Sequence, residues 1–176
     1  MKSVNAARVV CCLAALLPLT QAQASTYPSV DAGHFESLTA FAGTWVFDGK
    51  WANGNPFKGR QKFEPMLGGK FIAVRTWSSS GDAAETERDF VVYGLDAKLK
   101  LVQWVYTPDG QVRQTTASAT YDGSIQFDWT KTDAAGKATV LRTVINFAGA
   151  DRYRWRTQMQ IKGEWHTLID GEWKRG

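Results

Sequence analysis

Few residues of this 176-residue chain carry side chains suited to chemistry, and they do not stand at the spacings that catalysis requires. The histidines are His34 and His166, and the cysteines Cys11 and Cys12 adjoin near the N-terminus. There is no His-Glu-x-x-His zinc helix, no Gly-x-Ser-x-Gly nucleophile turn, no phosphate-cradling glycine loop before a helix and no dinucleotide fingerprint. His166 is the one late histidine able to ligate haem. It alternates with Trp165 and Thr167, so if those two face inward it faces out. The remaining inward polar candidates are Gln61, Arg75, Gln103, Thr143, Thr157 and Thr167. They include no paired carboxylates and no nucleophile–base pair. Arg75, Gln61 or Gln103 could polarise an oxygen of a bound apolar molecule. An inward Arg75 requires an anionic partner, either an internal acid or a ligand carboxylate, because an unpaired buried charge is costly. The acidic residues read as turn or outer-face positions.

These side chains are placed by strands. The stretch Gly43–Trp51 alternates Trp45, Phe47, Gly49 and Trp51 against Thr44, Val46, Asp48 and Lys50, a period of two. From Gly43 onward the chain reads as ten short strands, at roughly 44–52, 57–66, 70–79, 86–95, 99–107, 111–121, 124–132, 138–148, 152–162 and 164–174. Glycines at or near positions 54, 68–69, 81, 110, 123, 136, 149 and 163 punctuate them, and Asp96 serves the junction that has none. Even spacing and short turns predict an all-β fold, an antiparallel up-and-down β-barrel of about ten strands, since closure removes the sheet's edges. Ahead of it, Asp31 caps a short helix running to about Ala40, with His34, Phe35, Leu38 and Phe41 on one side, and this helix covers one barrel end.

Four strands alternate cleanly. Their inner faces collect Trp45, Phe47, Trp51, Phe57, Phe63, Phe127, Trp129, Tyr153 and Trp155, and the last strand adds Trp165, Ile169 and Trp173. Gly49, Gly59 and Gly171 on the same face leave room. In the third strand an aromatic register places Arg75 and Trp77 inside, whereas an aliphatic register places them in water. In the fifth strand the facing of Gln103 stays open. A ten-stranded barrel is wider than the eight-stranded size whose side chains just fill it, so the aromatics line a pocket. The ligand-facing candidates are Phe47, Trp51, Phe63, Arg75, Trp77, Gln103, Phe127, Trp129 and Trp155.

The first residues are of another kind. Lys2 and Arg8, the apolar run Val9–Leu19 and Ala22-Gln23-Ala24 form a secretory signal peptide over residues 1–24, with cleavage after Ala24 and a periplasmic or secreted product. The run falls short of the about 20 residues a membrane span takes, so no stable membrane insertion follows cleavage. Both cysteines leave with it, which removes disulfides, thiolate metal sites and a cysteine nucleophile. Taking 24 residues from 176 leaves 152, one domain's worth, comprising a leader and helix to residue 42 and a barrel over 43–176. Of the 21 Lys and Arg, 19 remain against 17 acidic residues, too near neutrality to favour nucleic acid. On the strand 152–162 the arginines point opposite to the aromatics, whereas a base-stacking surface needs both on one face.

The helix leading into Gly43-Thr44-Trp45 resembles the G-x-W start of the calycin, or lipocalin-like, barrels. Leu67-Gly68-Gly69-Lys70-Phe71, Tyr93-Gly94-Leu95-Asp96, Ala135-Gly136-Lys137, Leu141-Arg142-Thr143 and Trp173-Lys174-Arg175 resemble, in that order, a bacterial exported lipocalin-like family catalogued as a domain of unknown function. The resemblance covers about residues 34–175. It implies an antiparallel barrel with one helix-covered end, and it implies a late basic residue, Arg175 or Lys174, opposite Trp45. It carries over no catalytic residue. A second similarity in shape is to nitrobindin-like barrels, which would need a histidine pointing into the cavity. The expectation is therefore an exported barrel that takes a small apolar or aromatic molecule. The alternatives are a non-hydrolytic isomerase, cyclase or lyase acting on a small hydrophobic substrate, and haem binding through His166. No metal or other cofactor is expected.

Overall fold

The structure, a computed structural model, describes residues 32–120, 122–133 and 135–176. The predicted signal peptide, the leader and the capping role of Asp31 lie outside the described residues. Helix α1 (Ala32–Thr39) precedes eleven strands: β1 (Gly43–Lys50), β2 (Pro56–Met66), β3 (Phe71–Ser80), β4 (Thr86–Leu95), β5 (Leu101–Tyr106), β6 (Val112–Thr116), β7 (Ser118–Ala119), β8 (Ile125–Thr132), β9 (Ala138–Phe147), β10 (Arg152–Ile161) and β11 (Glu164–Arg175). They form one antiparallel sheet in the order β6-β5-β4-β3-β2-β1-β11-β10-β9-β8-β7, a nearly closed barrel. First and last strands pair, Trp45 opposite Arg175 and Phe47 opposite Trp173.

The eleventh strand arises where the predicted sixth one breaks. The run 112–119 pairs with β5 up to Thr116 and with β8 from Ser118. Between them the Ala117 N–H donates to Leu101 O at 2.8 Å. One strand therefore changes partners at Ala117 and brings the two ends of the sheet together.

The turns follow their sequences. In the glycine-free turn the Asp96 carboxylate accepts the N–H groups of Lys98 at 2.8 Å and Lys100 at 2.9 Å, and Leu99 takes the left-handed position at φ 58°. Asp133 repeats this on Ala135 and Lys137, with Gly136 at φ 79°.

Two bulges change which residues face in. Thr76 pairs with Asp89 but Trp77 pairs with Glu87, so Arg88 is the extra residue of β4. Thr157 pairs with Ile169 but Gln158 pairs with Thr167, so Leu168 is the extra residue of β11. Each bulge lets residues two apart face opposite ways. The second reverses an expectation for the last strand. Trp165 and Thr167 turn outward, where Arg142 lies 4.1 Å over the Trp165 ring, and His166 falls in register with inward Met159, though exposed.

The core is aromatic. Trp45, Trp173 and Phe127 are at most 1% exposed. Phe35 and Leu38 of α1 and the following Phe41 join it, and Phe41 stacks on Trp45 at 4.9 Å. Trp45 Nε1 donates to Phe41 O at 2.8 Å. The basic residue opposite Trp45 is Arg175, whose guanidinium lies 4.7 Å over the indole ring; exposed Lys174 pairs with Val46. Outside, Arg154 and Arg156 both bond Asp170, with nearest contacts of 2.7 Å. Burial of Asp170 would raise its pKa, but these two guanidiniums prevail and hold it below the usual value.

Candidate functional site

An interior cavity of about 140 Å³ lies between the β2–β5 wall and the β9–β11 wall. Leu38 of α1 reaches it, and its apolar lining includes Trp51, Phe57, Phe63, Val91, Ile145 and Trp155. Four of the nine ligand-facing candidates meet there: Trp51, Phe63, Gln103 and Trp155. Trp51 Nε1 donates to Ser80 Oγ at 3.2 Å.

The other five lie elsewhere. Phe47 is consumed by packing. A Cβ on Gly171 would stand 1.8 Å from its ring and one on Gly49 2.5 Å, while a Cβ on Gly59 would stand 2.7 Å from the Trp173 ring. The inner glycines thus make room for rings of the protein itself. Phe127 is buried at 1% exposure against Tyr93, 5.9 Å between centroids. Trp129 is half-buried beside the cavity, under Arg113. Arg75 and Trp77 point outward, so the aliphatic register of β3 is the one adopted, with Ile72, Val74, Thr76 and Ser78 buried inside. Outside, Arg75 pairs with Glu87 at 2.9 Å and lies over Phe90, and Trp77 is covered by Arg60 at 4.0 Å. Cations covering their faces give these outward aromatics a stable place at the surface.

The side chains with most chemical potential had not been singled out. Asp89, Arg88 and Arg113 all line the cavity. Asp89 faces inward because the Arg88 bulge sends Glu87 outward and leaves Asp89 in phase with Val91 and Tyr93. The alternation Asp89-Val91-Tyr93 was the signal that could have found it. Arg113 is opposite buried Val105, and Thr115 is opposite Gln103, whose Nε2 donates to Thr115 Oγ1 at 2.9 Å.

Hydrogen bonds run round the cavity in one direction. The Tyr153 hydroxyl donates to Gln61 Oε1. Gln61 Nε2 donates to Thr76 Oγ1 at 3.0 Å. That leaves the Thr76 hydroxyl proton for the Asp89 carboxylate across the strand pair. Burial pushes the Asp89 pKa up; the Thr76 bond and the Arg113 charge oppose this and lose. Burial likewise pushes both phenols up, Tyr93 and Tyr153, so they stay protonated donors. Arg113 is pulled down by its burial, with Asp89 resisting. The site is an apolar pocket with convergent donors and one weakened acid, the usual make-up of a small-molecule site. Among the described residues, no group of three His, Cys, Asp or Glu stands close enough to hold a metal ion.

No protein-family model matches the chain, and no curated protein matches it. Among solved structures it is similar to a de novo designed fluorescence-activating β-barrel, at 14% identity over 80% of this chain and 97% of that one, TM-score 0.43. It is also similar to the structure of EF1p2_mFAP2b bound to DFHBI, at 10% identity over 81% and 98% of the two chains, TM-score 0.43. At this level of similarity nothing about ligand or activity passes from those proteins to this one.

Proposed function

We propose that this chain is an exported, lipocalin-like barrel, covered at one end by α1, that binds a small apolar or aromatic molecule of about one ring. The observation that carries this is the cavity itself. Its volume of about 140 Å³ is close to the roughly 150 Å³ of an engineered apolar cavity that takes up benzene. Larger ligands, haem among them, exceed it, and His166 is not one of its lining residues. The Trp45–Arg175 stack supports the lipocalin-like reading.

Trp51 and Trp155 in the wall provide the test. Titrating the protein with single-ring compounds should give a saturable change in tryptophan fluorescence, and fused-ring compounds should give none. Filling the cavity with Ile145→Trp should abolish the response, while Arg75→Ala, on the outer face, should leave it within about twofold. A flat response to every single-ring compound would sink the proposal.

A second reading, a non-hydrolytic enzyme, is favoured by one observation. The hydrogen-bond chain from Tyr153 through Gln61 and Thr76 ends on an acid of raised pKa inside the cavity. It retains Gln61 from the sequence-based set and replaces Arg75 with Asp89. If a bound compound is converted, and Asp89→Asn stops conversion while binding survives, the enzyme reading stands. If it is recovered unchanged after prolonged incubation, the protein is a binder.

A further inference from the structure

We propose that Arg113 is an anion-binding group in this cavity and that the ligand is a single-ring-sized monocarboxylate. This rests on the cavity-binding reading above and narrows it to one ligand class.

Arg113 enters the barrel from β6, opposite Val105, and lines the cavity. Its guanidinium carbon lies 3.9 Å over the Trp129 ring, which fixes the guanidinium's position and occupies one of its faces. Ring stacking uses the face of a guanidinium and leaves the N–H edge available. That edge is the part that matches a carboxylate bidentately. Arg113 Nε is buried and has no hydrogen-bond partner. A buried donor left without a partner is costly, and a ligand acceptor would satisfy it.

The neighbouring polar groups do not meet that need. Gln61 is held between Tyr153 and Thr76, and Gln103 is spent on Thr115. Thr143 lies 3.3 Å from Thr157 and accepts from Trp129 Nε1 at 3.4 Å. Among the described residues the other unpartnered buried donor, Trp173 Nε1, belongs to a ring stacked parallel to Tyr153 and packed over Gly59. No ion pair joins Arg113 to Asp89.

Charge and size select the ligand. The charged side chains lining the cavity are Arg88, Asp89 and Arg113, two cations against one acid, so an anion is preferred over a cation. A dianion would meet Asp89 as a like charge in a small apolar space. A monocarboxylate places one charge on the Arg113 edge and its apolar body against Phe57, Phe63 and Trp155.

The experiment titrates the purified protein with benzoate, benzamide and benzylamine, followed by calorimetry and tryptophan fluorescence. Benzoate should bind best. Arg113→Gln should weaken benzoate by about tenfold to a hundredfold, the worth of a charged hydrogen bond, and weaken benzamide, whose neutral amide oxygen accepts more weakly, by clearly less. Arg113→Lys keeps the charge without the fork and should fall between. The wild-type ranking of the three probes stands as a test even if the glutamine variant fails to fold. If benzamide binds as tightly as benzoate and Arg113→Gln changes neither, the cavity reading survives and the carboxylate assignment is overturned. The same holds if benzylamine binds best and Asp89→Asn abolishes it. If no probe binds, the carboxylate assignment fails, and the cavity reading fails with it only if an apolar single-ring compound such as toluene also gives no response.

Discussion

Gln61 Nε2 donates to Thr76 Oγ1 at 3.0 Å, and this contact sets the direction of the barrel's internal hydrogen-bond chain. With its oxygen occupied as acceptor, the Thr76 hydroxyl has its proton free for Asp89. Asp89 thus receives a hydrogen bond as an anion would, yet burial still raises its pKa.

The consequence is a pH dependence of stability. An unfolded aspartate titrates near pH 3.9, and folded Asp89 titrates higher. Between those values the folded state holds more protons than the unfolded one. This group's stabilising contribution is therefore full below the unfolded value and is lost as pH rises through the folded one. Asp96, Asp109 and Asp122 act oppositely. Hydrogen bonds lower their pKa values, chiefly from the Lys100 backbone, the Thr107 hydroxyl and the Thr120 hydroxyl, so their contribution is lost as pH falls. Asp89→Asn should raise the Tm at neutral pH, and this gain should vanish below about pH 4. A gain that stays constant across the range would show that Asp89 does not titrate as described.

Gly171 offers a steric test. A Cβ there would lie 1.8 Å from Phe47 Cε2 and 2.3 Å from Cζ, inside any real contact. Gly171→Ala should cost about 1–3 kcal/mol by overpacking, read as a lower urea midpoint. Shortening the ring with Phe47→Leu in the same chain should recover part of that loss. Additive losses in the double variant would mean that the two residues do not collide.

Most of the wall was legible in the sequence because alternation holds wherever a strand is regular. Trp45, Phe57, Phe63, Tyr153 and Trp155 all face inward as their period of two required. The aromatics were a poorer guide to where a ligand fits. Trp77 and Trp165 have outer faces made habitable by Arg60 and Arg142, and an outward tryptophan under an arginine looks like an inward one in sequence. The bulges at Arg88 and Leu168 were invisible, because one extra residue reverses facing without changing composition. The first put Glu87 outside although Asp89, two residues on, faces in, and the second reversed Trp165 and His166. Arg113 was hidden for another reason: its strand is polar throughout, Val112 apart, so alternation gave no contrast.

Arg175 ties the chain end to the segment after the helix. Its Nη1 donates to Ala42 O at 2.9 Å, its Nη2 donates to Ala40 O at 3.3 Å and Ala150 O at 3.2 Å, and its plane covers Trp45. Arg175→Gln should destabilise the fold by about 1–3 kcal/mol. Arg175→Lys should restore only part, since a single ammonium cannot span three carbonyls. Lys174→Gln, on an exposed neighbour, should stay within about 0.5 kcal/mol. Denaturant midpoints of the three variants check the order, and equal losses at 174 and 175 would refute the tie.

The seam between β6 and β8 is where the barrel should open first. β6 is hydrogen-bonded to β5 along one edge, and the barrel's continuity passes to β8 only through the two-residue strand β7. Across the seam Arg113 lies over Trp129, a contact of side chains without a backbone ladder. Few backbone bonds and partial exposure set a low local opening free energy. Amide exchange should therefore be faster on Val112–Thr116 than on β2 or β10, which have partners on both sides. Trp129→Ala should speed it further by removing the stack, while leaving β2 and β10 unchanged. If exchange along β6 matches that of the central strands, the seam is closed by more than these contacts. A carboxylate bound at Arg113 should slow exchange at β6 selectively, because it would join the seam to the cavity's interior.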